Sequence, residues 1–340
     1  MRQPQQPIGG GVSKILYTLK TVNKIGLAKS AKALGARNTC KACGLGMGGQ
    51  QGGMTNEVGE FPAICNKSVQ AQSTDIQAAI PEEVFAHTLE EFNKLSAYEL
   101  EHLGRLGTPL YKERSSDRLR PVDWCFAIDV AAEKFRASEP DKTFFYSSGR
   151  SSNEAGFLLQ LFARHFGTNN VNNCSYYCHQ ATSEGLGASI GTGTATVELA
   201  DLDGCDLIFL IGANPASNHP RLIHRLKACR ERGGHVVVIN PAKEPGLVKF
   251  AVPKSARSLI AGGTDIASHY LQPRIGSDIA VLKGIAKSVL EKHGECVDFI
   301  NQYTEGFDKY REELESNSWQ IIERISGLSR SAIEEVAEIY

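Results

Sequence analysis

The chain has 340 residues, 41% of them hydrophobic and 22% charged, with a net charge of −1, a balance that fits a soluble globular protein with room for about two ordinary domains. Near-zero charge with scattered Lys and Arg excludes a nucleic-acid partner or a polybasic membrane surface, and no run reaches the roughly 20 apolar residues of a spanning helix. Nine cysteines, an odd number, argue against a secreted disulfide framework, and the opening Met1-Arg2-Gln3-Pro4 carries neither a twin arginine nor a signal-length apolar run, so a cytoplasmic protein is expected.

Residues 1–38 are Gly/Pro/Gln-rich and then basic, which predicts a loosely ordered extension. From Cys40 to Gly53 glycine dominates, with Gly44, Gly46, Gly48, Gly49, Gly52 and Gly53 favouring tight turns over helix or strand. Residues 39–115 therefore read as a small Gly/Cys-rich domain with connecting segments. Its later part, from 80 to 115, reads as helical, with Leu89, Phe92, Leu95, Leu100 and Leu103 as the apolar positions.

After Asp141 the pattern becomes α/β. A short strand at Thr143–Tyr146 leads into a helix at Asn153–Phe166, with Phe157, Leu158, Leu161 and Phe162 on one face. The apolar strand Asp206–Ile211, a helix from about Pro220 to Arg232, the break Gly233-Gly234 and the strand His235–Ile239 make a βαβ unit. Pro220 is expected just inside that helix. Ile279, Leu282, Ile285, Ala286, Val289 and Leu290 mark a further amphipathic helix, and Ser329 caps a last one with Ile333, Val336, Ala337 and Tyr340 at helical spacing. That helix carries no C-cap signal, so the chain is expected to be part of a longer multidomain product. Cys125, Cys205, Cys229 and Cys296 sit among apolar neighbours and read as core thiols.

The most informative segment is Asn172-Asn173-Cys174-Ser175-Tyr176-Tyr177-Cys178-His179, a thiol directly before an imidazole after a polar stretch. By itself such a pair also fits a buried structural cysteine beside a hydrogen-bonded histidine. Its companions are Tyr146-Ser147-Ser148-Gly149-Arg150-Ser151-Ser152-Asn153, Ile211-Gly212-Ala213-Asn214-Pro215-Ala216-Ser217-Asn218 and Val238-Ile239-Asn240-Pro241. In that order and at those separations the chain, over residues 35–340, resembles the molybdopterin-dependent oxidoreductases, most closely the catalytic subunits of formate dehydrogenases.

The resemblance implies an iron-sulfur-type N-terminal domain followed by Rossmann-like α/β cofactor-binding domains, with 116–173 the first segment of a discontinuous domain and 174–340 the molybdopterin-dinucleotide domain. It implies that Cys178 ligates molybdenum, or tungsten, held by two molybdopterin guanine dinucleotides, and that His179 handles a proton. A thiolate is the soft anionic ligand such a metal needs, and imidazole titrates near neutrality. Cys40, Cys43 and Cys65 would hold an iron-sulfur cluster. The family's third cysteine, four residues after the second, is Met47 here. A [4Fe-4S] cluster with another fourth ligand, a [3Fe-4S] cluster, zinc, or no metal all stay open. Lys67 matches the lysine that relatives place between cluster and pterin.

The nucleotide cradle would draw on Arg150 and Asn153, on Gly212, Asn214 and Asn218 after a strand, and on Asn240, where relatives often carry aspartate. Asp278 fits either a guanine edge or a helix cap. The implied reaction is two-electron oxidation of formate or a similarly small substrate, with electrons leaving through pterin and cluster to an acceptor protein. A relative acting on nitrate or another oxyanion, and a structural or electron-wiring subunit of the same fold, are the alternatives.

Overall fold

The computed structural model describes residues 8–35, 76–149, 151–253 and 255–340, with Met54, Thr55, Gly59, Phe61, Ala63, Ser68 and Val69. They divide into two compact units. One contains residues 8–20 and 197–340, the other residues 21–35 and the described positions from 54 to 196.

The N-terminal stretch corrects the expectation of a loose extension over residues 8–35. Gly11–Ile25 and Leu27–Gly35 are helices. Val12, Ile15, Leu16 and Leu19 recur at the 3.6-residue period, and the second segment is rich in Ala, Leu and Lys, all good helix formers.

In the unit that ends at Thr196, two short helices, Leu89–Asn93 and Ala97–Glu101, each begin with a capping box. The hydroxyls of Thr88 and Ser96 accept from the backbone N–H of Glu91 and Glu99 at 3.2 and 3.3 Å. The two carboxylates accept in return from the backbone N–H of Thr88 and Ser96 at 2.7 and 2.8 Å. Orphan donors of the first turn are thereby satisfied in segments too short to persist on propensity alone.

Strands β1 (Phe145–Ser147) and β2 (Val171–Asn173) pair in parallel, Ser147 opposite Asn173. Helix α1 (Trp124–Arg136) precedes them, helix α2 (Asn153–Phe166) connects them, and helix α3 (Cys174–Ile190) follows directly. Ser152 caps α2, and Gly167, at φ 107°, closes it with its N–H on the carbonyls of Ala163 and Arg164. A side chain would resist that left-handed conformation. Phe135, Phe145, Phe162 and Phe166 form the aromatic centre, with Phe135 and Phe145 stacked at 5.8 Å. The expected apolar face of α2 is only partly used. Phe157, Leu158, Leu161 and Phe162 are 63%, 60%, 53% and 43% exposed, and Ala163 is the buried residue of the helix; two strands are too narrow to cover a helix face.

The unit that ends at Tyr340 is better filled. Strands β3 (Leu207–Ile211), β4 (His235–Ile239) and β5 (His269–Leu271) form a parallel sheet with β4 in the centre. Register runs from Leu207 opposite His235 to Ile211 opposite Ile239. Alternate residues of β4 feed opposite faces. Val236 and Val238 pack with Leu210, Ile223, Leu226, Leu247 and Ile266 on one side. Val237 and Ile239 pack with Leu271, Val281, Ile285, Ile322, Ile333 and Val336 on the other. A strand covered on both faces reads as a continuous apolar run, as this one does.

Helix α4 (Leu222–Glu231) connects β3 to β4. Pro220 lies outside it, before the N-cap Arg221, and not inside as expected, because the chain first makes the short helix Pro215–Asn218. Gly233, at φ 91°, ends the segment. Helices α5 (Asp278–Glu291), α6 (Trp319–Ser326) and α7 (Arg330–Ile339) cover the second face. Ser329 caps α7, its hydroxyl accepting from the Ala332 N–H at 3.3 Å. A Cβ on Gly284 of α5 would lie 3.1 Å from methyls of both Ile322 and Ile333, so the glycine sets how closely the three helices approach.

Of the four cysteines expected in the core, Cys229 alone is buried, and burial pushes its thiol up. Cys205 is half-buried. Cys125, on the outer side of α1, and Cys296, at the N-cap of helix Val297–Tyr303, are exposed. Apolar neighbours in sequence did not become neighbours in space. No helix among the described residues is long and apolar enough to cross a membrane.

Candidate functional site

The candidate residues fall on both units. In the unit that ends at Thr196, Cys178 and His179 lie in the second turn of α3 and are exposed. Successive helical side chains diverge by about 100°, so the pair presents two different groups to one surface. The start of α3 is firmly held. The Asn173 side-chain oxygen accepts from the backbone N–H of Ser175 and Tyr176 at 3.0 and 3.3 Å. The Sγ of Cys174 accepts from the Gly149 N–H at 2.9 Å. Three exposed tyrosines stand beside the pair. The Tyr146 and Tyr177 rings are 6.2 Å apart, and those of Tyr176 and Tyr177 5.4 Å. Asn153 is the first residue of α2 and exposed, the cap being Ser152.

In the unit that ends at Tyr340, Gly212, Asn214 and Asn240 occupy the loops that follow β3 and β4, and Asp278 closes the loop after β5 as the first residue of α5. All three strands are parallel, so these loops gather at one edge, the carboxyl end of the sheet, where open α/β sheets bind ligands. Gly212 turns at φ 65° with its N–H on the Ile239 carbonyl at 2.9 Å. Asn214 begins the short helix Pro215–Asn218, its backbone carbonyl accepting from Ser217 and Asn218 at 3.0 Å each. Its side-chain oxygen, by contrast, is buried with no hydrogen-bond partner. An unpaired buried amide oxygen costs about 1–3 kcal/mol, which a ligand donor would recover. Asn218 is exposed on the same loop.

Asn240 is 7% exposed, and its side-chain oxygen accepts from the Ala242 N–H at 2.9 Å. That bond fixes the turn after β4 and commits the oxygen, leaving the amide NH2 as the group for a ligand. Two residues of and after β5 clamp this turn. The Tyr270 hydroxyl donates to the Ala242 carbonyl at 2.7 Å and accepts from the Glu244 N–H at 3.0 Å. Gln272 Nε2 donates to the Pro241 carbonyl at 3.1 Å. Burial raises the Tyr270 phenol above its ordinary value, so the hydroxyl keeps the proton it donates. Asp278 is the first residue of α5, with Ser277 at the N-cap position and no side-chain cap bond, so its carboxylate stands in the first turn, where it also favours the helix dipole.

Tyr270, Gln272 and Cys174 act through backbone atoms of other segments, a role that no local sequence pattern announces. Cys40, Cys43, Cys65, Met47, Lys67 and Arg150 lie outside the described residues. Among the described residues, no group of three or more His, Cys, Asp or Glu side chains could hold a metal ion. Taken unit by unit, the groups present fit parts of a pterin dinucleotide site: in one unit an accessible thiol with an imidazole beside it, in the other, at the sheet edge, a left-handed glycine turn and an orphaned amide oxygen.

Comparison with known proteins gives a consistent family. Residues 105–294 match the model of the molybdopterin oxidoreductase family. The chain is 40% identical over 291 residues to Protein YdeP of Escherichia coli K12, covering 82% of this chain and 38% of that protein. It is 32% identical over 346 residues to the uncharacterized oxidoreductase Rv2900c of Mycobacterium tuberculosis, covering 98% and 44%. Formate dehydrogenase H of Escherichia coli K12 matches at 31% over 242 residues, covering 69% and 32%. The chain thus spans less than half the length of these curated relatives. Among solved structures, acetylene hydratase from Pelobacter acetylenicus superposes with a TM-score of 0.53 at 19% identity, covering 68% of this chain and 30% of that one. That likeness speaks for the fold alone.

Proposed function

The chain belongs to the molybdopterin oxidoreductase family, and from that premise we propose that it serves a formate-dehydrogenase-type enzyme that oxidises formate or a similarly small substrate by two electrons. The exposed Cys178-His179 pair on the anchored start of α3 carries the reading. When bound, a molybdenum (or tungsten) bis(molybdopterin guanine dinucleotide) would supply the redox chemistry and, with an iron-sulfur cluster, the exit for single electrons to an acceptor protein. Cys178 would give the metal its soft anionic protein ligand. His179 would accept or position the proton released from substrate.

The dinucleotide is assigned to Rossmann-like loops at the carboxyl edge of the β3–β4–β5 sheet, with Gly212, Asn214, Asn218, Asn240 and Asp278 for it; Arg150 and Asn153 are assigned to the cofactor as well. Asn214 offers an acceptor and Asn240 an amide donor. Cys40, Cys43 and Cys65 are proposed for a [4Fe-4S] or [3Fe-4S] cluster in an N-terminal domain spanning 39–115, with Lys67 between cluster and pterin. A cytoplasmic location goes with this reading.

The test is elemental analysis of the full-length gene product purified without oxygen, with formate oxidation assayed on wild type and Cys178→Ala. Stoichiometric Mo or W, iron at a three- or four-iron level, and loss of turnover in a folded Cys178→Ala variant are expected. Unchanged activity in that variant would remove Cys178 as the metal ligand.

A second reading, a relative acting on another substrate such as nitrate, stands beside it because identity to YdeP, 40%, whose name carries no substrate, exceeds that to formate dehydrogenase H, 31%. Turnover of an oxyanion with none of formate would select it. A metal-free protein would select the structural or electron-wiring reading, against which the retained Cys178-His179 pair argues.

A further inference from the structure

Cys174 lies one helical turn before Cys178, on the same face of α3. Its sulfur takes the Gly149 N–H at 2.9 Å across 25 positions of sequence. Gly149 belongs to the turn after β1, where the Ser151 N–H bonds the Ser148 carbonyl at 3.0 Å. The contact continues the strand register. Ser147 pairs with Asn173 at the ends of β1 and β2, so the two segments leave the sheet side by side and the next meeting is Gly149 with Cys174. The approach requires glycine, since a Cβ at Gly149 would lie 2.7 Å from the Cys174 sulfur and 3.9 Å from the Ser175 hydroxyl.

Resting on the reading of Cys178 as the metal ligand, we propose that Cys174 is a positioning residue: it latches the turn at 148–151 to the start of α3, and so fixes the orientation in which Cys178 is presented. Turn and helix start then move as one body. The Asn173 cap secures α3 against its own backbone, whereas the Cys174 contact ties it to the segment that follows β1. A sulfur acceptor half-buried against a backbone donor is not poised to be a second metal ligand, which accounts for two cysteines one turn apart with only one of them exposed.

The test uses the full-length protein and two readouts. The first is modification of the metal-free protein by a maleimide, located by mass spectrometry. Cys178 should label well before Cys174 in wild type. Gly149→Ala should expose Cys174 to labelling and alter the rate at Cys178. Cys174→Ala should change the Cys178 rate, and Cys174→Ser, whose hydroxyl can accept the Gly149 N–H, should restore it in part. Gly156→Ala, at a helical glycine with nothing within 4 Å of its Cβ, is the control expected to leave both rates alone. The second readout is molybdenum retained after purification, expected to fall about tenfold or more in Cys174→Ala, the range for partners that orient a metal ligand. The proposal is overturned if Cys174→Ala keeps the wild-type Cys178 rate, or if retained molybdenum is unchanged in a protein that binds it. Should wild type hold no molybdenum, the cofactor reading fails, and the Cys178 labelling rate alone decides the latch.

Discussion

The two units solve the same packing problem to different extents. In the unit that ends at Tyr340, β4 is covered on both faces, with Val236, Val237, Val238 and Ile239 at 1% exposure or less. In the unit that ends at Thr196, β1 and β2 offer one narrow sheet, and apolar side chains of α2 face solvent. The first unit holds its candidate ligand groups on a finished core, with loops already hydrogen-bonded in place. The second presents Cys178 and His179 on a helix that is exposed along most of its length. Its order at that point rests on discrete bonds, the Asn173 cap and the Cys174 contact, more than on packing.

The largest expected effect sharpens that contrast. Ile333 of α7 is wholly buried against the sheet, so Ile333→Ala should cost about 2–5 kcal/mol, the usual price of a large-to-small change in a closed core. Urea unfolding followed by circular dichroism reads it directly. A cost under 1 kcal/mol would mean that this core is looser than its burial implies.

Next comes the turn after β4. Tyr270→Phe keeps the ring and removes the hydroxyl that bonds the Ala242 carbonyl and the Glu244 N–H. A cost of about 0.5–1.5 kcal/mol is expected, since the freed Ala242 carbonyl can turn to water, together with weaker binding of GDP as a probe of the cradle. The pH dependence has a definite sign. Burial raises the folded-state value of Tyr270 above its unfolded one, so the native state holds the proton more tightly. Its contribution is complete below the unfolded value, about 10, and is lost as pH rises through the higher folded value. Tyr310, also raised by burial, declines in the same window. Tyr270→Phe should therefore flatten part of the alkaline loss of stability, and an unchanged alkaline slope would dismiss Tyr270 as a contributor.

How much of this was legible beforehand differed between the units for the same physical reason. His235–Ile239 and Asn153–Phe166 appear with the expected bounds, because a continuous apolar run and an apolar stripe between Ser152 and Gly167 carry their own periodicity and caps. Helix Gly11–Ile25 was equally periodic but was masked by its lysines. The candidate pair Cys178-His179 was found through its neighbours in sequence. What holds it was not, since the Gly149–Cys174 contact depends on the parallel register of β1 and β2. The clamp of Tyr270 and Gln272 depends in the same way on β5 lying beside β4. The core placement of Cys125 and Cys296 failed because apolar neighbours along a chain do not fix which way a side chain faces: Cys125 lies on an exposed side of α1, and Cys296 at the exposed start of a short helix.

The smallest expected effect is the one that would break the comparison. Leu158 on α2 is 60% exposed, so Leu158→Ala gives up little burial and slightly improves helix propensity. It should change stability by no more than about 0.5 kcal/mol, against several for Ile333→Ala in the same denaturation experiment. Leu158 stands one turn before Phe162 on the same face of α2, and Phe162 packs edge-on against Phe135 and Phe145, so a modest extra loss would come through that aromatic cluster. A cost approaching that of Ile333→Ala would mean that this face is covered in solution. The two units would then differ in what supplies their second layer, not in whether they have one.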